Sequence, residues 1–317
     1  MTPTASHRAS HRASHLPVHL ALFGITVVWG LNLSVVKALT QTLDLSLIAM
    51  LRMLACVACL TLLYRHKIGL IRHWHAALWV QATAAGVLMV YLNQVLFTQA
   101  MGRTSATNAS LIIALGPMVS ATLEYLFFRR PMGPRMRWGL VLALIGVVTV
   151  ITHRPGAQWQ QAALGDVLIF SSVVIFAIGG ALTQRISPQL DPMSMTWYTH
   201  VLGCALLCMD SFLRLDDVLT PLSALDAKAW GMTLFSGLVA TGLGAVIWAK
   251  GIATLGVGRT AAYLSWVPVL GVAFGALLLG EPVTLWHALG VGLVLIGTVL
   301  SWPEAMWSLV KTRLRLS

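Results

Sequence analysis

RRPMGPRMRWGLVLALIGVV, at Arg129–Val148, returns 151 residues later as GEPVTLWHALGVGLVLIGTV, at Gly280–Val299. Pro131/Pro282, Gly139/Gly290 and Gly146/Gly297 fall in register, and the same shift carries Pro117 onto Pro268. LIGVV at Leu144–Val148 matches LIGTV at Leu295–Val299. An offset that holds over so many positions marks an internal duplication, and a duplication sets the architecture before any single element is read. What differs between the copies is charge. The first carries Arg129, Arg130, Arg135 and Arg137 ahead of its apolar run, whereas the second has no arginine there and carries Glu281.

Composition says what kind of unit was duplicated. Of 317 residues, 57% are hydrophobic and only 10% are Asp, Glu, Lys or Arg. Soluble domains carry about 25% charged residues, and so few cannot cover a soluble surface. An ordinary soluble enzyme, a disordered chain and a disulfide scaffold are excluded. A helix that crosses a bilayer needs about 20 mostly apolar residues. Ten such runs are read, at 17–37, 45–64, 76–101, 105–128, 136–152, 164–184, 194–213, 229–250, 259–279 and 283–302. Tight links join several of them, and Arg214–Lys228 is the one sizeable loop. The first run is long enough to span and nine more follow, so it is read as a helix and not as a cleaved signal peptide.

The expected fold is an all-α membrane protein of ten transmembrane helices in two five-helix repeats, at 17–152 and 164–302. Short tails at 1–16 and 303–317 flank them. Five is odd, so the second copy is expected to be inverted relative to the first. With a cytoplasmic N-terminus, fifteen basic residues fall on the cytoplasmic side, among them Arg65, Lys67, Arg72, Arg129, Arg130, Arg135 and Arg137. Five fall on the other side, at Lys37, Arg103, Arg154, Arg214 and Lys228. This asymmetry predicts both termini in the cytoplasm. The net charge of +11 is then a topology signal with attraction to anionic lipid, and no nucleic-acid partner is needed. Inverted repeats are a recurring construction of secondary transporters, with the substrate near the midplane between the halves.

The residues resemble those of a known family. WGLNLSVVK at Trp29–Lys37, Arg52, and ATNASLIIALGP at Ala106–Pro117 look like a first EamA repeat. GRTAAYLSWVPVLGVAFGALLLGEP at Gly258–Pro282, with the HALGVGLVLIG that soon follows it, looks like a second. Nearly the whole chain apart from its tails is similar to the drug/metabolite transporter superfamily, EamA type. The resemblance implies a ten-helix bundle around a central cavity, alternating access, and export of amino acids or other small metabolites from bacterial cells, hence the bacterial inner membrane. It places Arg52 at the periphery of the second helix. FFRRP departs from the family, which often has Gly-Glu there; the acidic position is held by Arg130, so no role is carried over to it.

Ionisable residues within a span cost about 2.5–3.5 kcal/mol or more at the bilayer centre, which makes them functional candidates. Arg52, a third of the way into the second run, reads as an anchor for an anionic substrate group. Glu124, one turn before the end of the fourth, reads as a proton- or cation-binding group. Snorkelling or a structural ion pair is the other reading for each, and for Arg52 the structural role is the favoured one. Pro117 and Pro268 each remove a helix donor and free the carbonyls of Ile113 and Leu264, which points to a pathway or hinge, or else to a packing kink. Trp29 and Asn32 share a helix face, as do Tyr91, Gln94 and Thr98. With Asn108, Tyr263 and Trp266 they supply the apolar walls and few polar groups of a substrate cavity, though such residues also glue helices together. Trp74, Trp302 and Trp307 read as interface anchors.

His7, His11, His15 and His19 belong to a short tandem repeat in a polar tail, and this is read as a disordered basic tail and not as a metal site. Cys56, Cys59, Cys204 and Cys208 lie within spans and read as small buried apolar residues. No motif calls for a cofactor or metal. The leading function is a secondary transporter that exports a small polar or amphipathic metabolite, such as an amino acid; without a P-loop, ATP is not its direct energy source. Proton coupling and facilitated diffusion both stay open. A channel or a non-transporting scaffold is the alternative. An intramembrane enzyme ranks lower, since no HExxH or GxSxG string occurs and His200 lacks an evident partner.

Overall fold

A computed structural model describes residues 5–65, 74–129, 133–153, 159–186, 191–255, 259–260 and 262–300. The described residues are helical throughout, with no strand among them. The first copy contains α1 (Ala5–Leu39), α2 (Leu45–Tyr64), α3 (Ala76–Gly86), a first π-helical segment (Val87–Leu92), α4 (Asn93–Met101), α5 (Ala106–Ile113), α6 (Gly116–Phe128) and α7 (Pro134–Thr152). The second contains α8 (Trp159–Ile186), α9 (Pro192–Arg214), the short α10 (Leu219–Ser223), α11 (Ala227–Leu234), a second π-helical segment (Phe235–Leu243) and α12 (Gly244–Leu255). A 3₁₀ turn (Ala262–Trp266), α13 (Val267–Leu279) and α14 (Leu285–Leu300) complete it.

The 151-residue shift is written into the element boundaries. It carries both ends of α6 onto both ends of α13, and the first residues of α3 and α7 onto those of α11 and α14. Helix starts follow local chemistry: Asp44, Ser105, Asp191 and Asp226 accept from backbone N–H groups of the first turns of α2, α5, α9 and α11. Such caps satisfy donors that have no partner within the helix.

Packing shows how the copies are related. A Cβ on Gly146 would lie 2.8 Å from the Gly290 carbonyl oxygen, and one on Gly297 would lie 2.5 Å from the Gly139 oxygen. Only glycine permits that approach. Gly139 and Gly146 are the repeat equivalents of Gly290 and Gly297, so each position meets the other position of the opposite copy, as a two-fold axis requires. Going seven residues back on α7 goes seven forward on α14, so these equivalent helices run antiparallel. The α2–α9 pair repeats the pattern: Ser211 donates to the Ser46 carbonyl (3.1 Å), and Trp197 Nε1 donates to Thr61 Oγ1 (2.9 Å). The packing of α1 on α13 is likewise mirrored by that of α8 on α6.

Eight of the ten expected spans are long and apolar enough to cross a membrane, among the described residues. The other two fall short for different reasons. Only sixteen residues of α14 are described. In α9, Thr196, Thr199, His200, Asp210 and Ser211 dilute the apolar sequence. Large apolar side chains face outward from the bundle, such as Leu62 at 72%, Leu213 at 78% and Leu277 at 78% exposure. A water-soluble protein would not tolerate that surface, and a bilayer covers it. The buried cysteines Cys56 and Cys204 pack in one apolar cluster with Met53, Leu60 and Val90.

The proline positions are helix starts and not mid-helix kinks. α5 ends at Ile113, Ala114–Leu115 form a turn, and Pro117 sits in the first turn of α6. In the second copy the 3₁₀ turn runs to Trp266, and Pro268 sits in the first turn of α13. Proline suits that place because the first N–H groups of a helix have no intrahelical acceptor to lose. The Ser110 hydroxyl reaches the Pro268 carbonyl at 3.4 Å, linking one break to the other.

Candidate functional site

The two π-helical segments bring polar side chains together. Gly237 and Gly242 allow the second segment to lie on α2; a Cβ on Gly237 would come 2.5 Å from the Arg52 carbonyl oxygen. Against this wall Arg52 is buried, at 3% exposure. Its Nε donates to Ser236 Oγ at 2.5 Å, and its Nη1 donates to Gln94 Oε1 at 3.2 Å. The guanidinium carbon stands 5.5 Å from the centre of the Phe97 ring. Gln94 lies just beyond the first π segment, and Ser236 lies within the second. Gln94 Nε2 donates to Asn93 Oδ1 (3.4 Å) and Asn93 Nδ2 to the Ser172 carbonyl (3.0 Å), so the hydrogen bonds run from α2 through α4 to α8.

Trp29 of α1 reaches the same wall: its indole N–H donates to the Ala240 carbonyl at 2.8 Å, with Trp248 beside it at 5.3 Å between ring centres. The Thr241 hydroxyl donates to the Ser236 carbonyl at 2.9 Å. A π turn closes i→i+5 bonds and leaves carbonyls less firmly held than an α-helix does, which is one reason such turns recur at functional sites. Asn32, one turn beyond Trp29, is buried, and among the described residues its Oδ1 accepts no hydrogen bond.

The remaining expected lining residues are dispersed. Tyr91 and Gln94 do not share a stripe of contacts: the Tyr91 hydroxyl turns to Asp210 of α9 (3.3 Å), while Gln94 faces α2. The wider π turn at Val87–Leu92 changes the phase on which the shared stripe depended. The Thr98 hydroxyl closes on its own helix, at the Gln94 carbonyl (2.9 Å). Asn108 is buried in the first turn of α5, where its N–H donates to Ser105 Oγ (3.1 Å). The Tyr263 hydroxyl pairs with His19 Nδ1 (2.6 Å), and Trp266, half-exposed, meets Phe23 edge-on. Arg52 is buried at the centre of these contacts and not peripheral. Glu124 lies on α6, but its side chain falls outside the described residues, as do Trp302, Trp307 and Arg130. His200 Nδ1 lies 2.7 Å from the Thr196 carbonyl of its own helix. Trp74 packs against Trp79 and Tyr198.

A second polar junction lies at the end of α13. Glu281 accepts from the backbone N–H groups of Ala106 (2.7 Å) and Thr107 (2.8 Å), so a carboxylate of the second copy caps α5 of the first. Nearby, Lys37 Nζ donates to the Met101 carbonyl (2.8 Å), and the Thr104 hydroxyl donates to Asp166 (2.5 Å). Ser236, Asn93 and Phe97 were not singled out from sequence. The available signal was the glycine-rich FSGLVATGLG at Phe235–Gly244, since glycines inside an apolar helix mark close approach.

This geometry, a duplicated antiparallel helical unit around a buried polar centre, has relatives. The EamA-like transporter family matches residues 16–152 and again 163–302. The chain belongs to the EamA-like transporter family. It is a multi-pass membrane protein, and the family's two matches coincide with its two copies. It is 28% identical to the uncharacterized transporter YyaM of Bacillus subtilis over 68% of this chain and 70% of YyaM. It is 25% identical to a probable amino-acid metabolite efflux pump of Salmonella typhimurium, over 87% of this chain and 92% of the pump. It is 27% identical to a protein of the same description from Escherichia coli, over 89% and 94% of the two chains. One solved crystal structure superposes with a TM-score of 0.66 at 14% identity, covering 90% of this chain and 96% of the other, which shows the shared fold.

Proposed function

We propose that this EamA-like protein is a secondary transporter that exports a small metabolite, such as an amino acid, across a bacterial inner membrane. In this reading ten helices span the bilayer as two inverted repeats, 17–152 and 164–302, with both terminal tails in the cytoplasm. The observation that carries it is the reciprocal glycine contact between α7 and α14, which relates equivalent helices by a two-fold axis. Two such halves can rock about a site between them, which is how alternating access works in inverted-repeat transporters. Trp29, Asn32, Gln94 and Ser236 would line the site, with Pro117 and Pro268 opening the helices beside it. Tyr91, Thr98, Asn108, Tyr263 and Trp266 would contribute through packing along the path. The efflux relatives support the direction and the amino-acid class.

The test is transport by the purified chain in liposomes. A panel of radiolabelled metabolites should move down their gradients without ATP, and strict ATP dependence or a complete lack of transport would overturn the reading. An imposed pH gradient separates proton coupling from facilitated diffusion. If Glu124 carries the proton, Glu124→Gln abolishes the response to that gradient and leaves downhill exchange intact.

A further inference from the structure

We infer that Arg52 binds an acidic group of the transported molecule, a carboxylate or a similar pair of anionic oxygens, so that the cargo is an acid or a zwitterion and not a cation. The inference rests on the transporter reading and names the substrate class of that site. Seven residues separate Leu45 from Arg52 and twelve separate Arg52 from Tyr64, so the guanidinium's helix position is about 10 Å from one end and about 18 Å from the other. Snorkelling to a headgroup would leave the side chain at the surface, yet it is 3% exposed. Every contact the described residues give it is neutral: the Ser236 hydroxyl, the Gln94 amide oxygen and the Phe97 ring. A buried charge is normally paired with an opposite one, because desolvation is otherwise uncompensated.

Among the described residues, seven acids are committed to other partners. Asp44, Asp191, Asp226 and Glu281 cap helix N-termini, and Asp217 accepts from the backbone at the start of α10. Asp166 accepts from Thr104, and Asp210 is bonded to Tyr91 and Arg214. A guanidinium has five N–H donors in a planar fork. Two are used here, and the three that remain are one on Nη1 and two on Nη2, so a carboxylate's two oxygens can take one from each nitrogen. Asn32 Oδ1 supplies an independent sign of an absent partner. It is buried on α1 with no hydrogen bond among the described residues, one turn from the Trp29 that donates to the second π segment, and it would accept an N–H or O–H of a bound molecule. A purely structural Arg52 would explain the cross-link between α2, α4 and the second π segment. It would not explain why a charged donor with spare N–H groups was used to bond two neutral acceptors.

The experiment uses the full chain in phosphatidylcholine liposomes, with a radiolabelled panel balanced between carboxylates, neutral amides and amines of similar size. The expected result is that transported members carry an acid group. Arg52→Gln should then raise their KM at least about tenfold, the loss of one charge-assisted hydrogen bond. Arg52→Lys keeps the charge without the fork and should keep the acid preference with an intermediate KM. Transport of amides or amines at rates equal to the acids overturns the inference while leaving the transporter reading standing. So does an Arg52→Gln protein that moves acids with an unchanged KM. If Arg52→Gln does not fold, the wild-type charge preference and the Arg52→Lys kinetics decide. Thermal stabilisation of the wild type by added phosphatidylglycerol, with none from the transported acids, would assign the anion to a lipid headgroup and overturn it. No transport of any panel member would count against the transporter reading itself.

Discussion

At Gly280 the second copy leaves α13 through a left-handed residue, φ +64°, and Glu281 follows. At the equivalent Arg129 the first copy leaves α6 the same way, φ +52°, and Arg130 follows. A non-glycine residue in that conformation costs roughly 1–2 kcal/mol, so the first copy holds its turn against a strain that the second avoids. The acid makes the larger difference. Glu281 reaches across to accept from Ala106 and Thr107 of the other copy, whereas an arginine has no acceptor to offer a helix N-terminus. The backbone turn is thus a property of the repeated unit, while the tie between copies depends on which residue stands at one position of it. Duplication shapes both turns alike, and divergence places the capping acid at one of them.

The seam between α7 and α14 is where the copies agree most closely, and disturbing it should have the largest effect. Gly290→Val puts a branched side chain 2.9 Å from the Gly146 carbonyl oxygen; a loss of about 3 kcal/mol is expected from such overpacking. Gly292→Val, on the same helix with open space around it, should unfold at the wild-type temperature in detergent. Equal melting of the two variants would mean that the close crossing is dispensable. A smaller loss, about 1–2 kcal/mol for a lost cap, is expected from Glu281→Ala. Hydrogen exchange at Ala106 and Thr107 should quicken with it, and unchanged exchange would dissolve the contrast between the two ends. The smallest effect runs the other way: Arg129→Gly should raise stability by about 0.5–1 kcal/mol, read by thermal unfolding. A fall would show that the Arg129 side chain does more for the turn than its backbone costs.

Much of this arrangement was legible in one dimension because duplication leaves a fixed offset. Gly139, Gly146 and their equivalents announced the duplication, though not that they meet across it, and Pro117 and Pro268 announced the breaks, though they begin new helices and do not bend old ones. Two features could not be read. A helix surrounded by lipid and protein is apolar on every side, so its sequence carries little periodicity to show an extra residue in a turn. The π segments were therefore invisible, and with them the separation of Tyr91 from Gln94. Glu281 was visible as a reversal of charge, but its partners lie some 175 residues away and only packing reveals them. Arg52 was marked by its charge alone; that its partners are all neutral is a fact of tertiary structure.

The reciprocal crossing of α7 and α14 has a consequence for how such a chain can change. In two identical subunits, one substitution at the shared position would alter both crossings at once, and a tolerable change would have to be tolerable twice. Joined in one polypeptide, Gly139 and Gly290 mutate independently, and so do Arg130 and Glu281. Fusion converts a symmetric assembly, whose two faces must respond identically, into one whose faces can be adjusted separately. A protein that has to open to one side of a barrier and then to the other can use that freedom, since the two openings need not be equally easy.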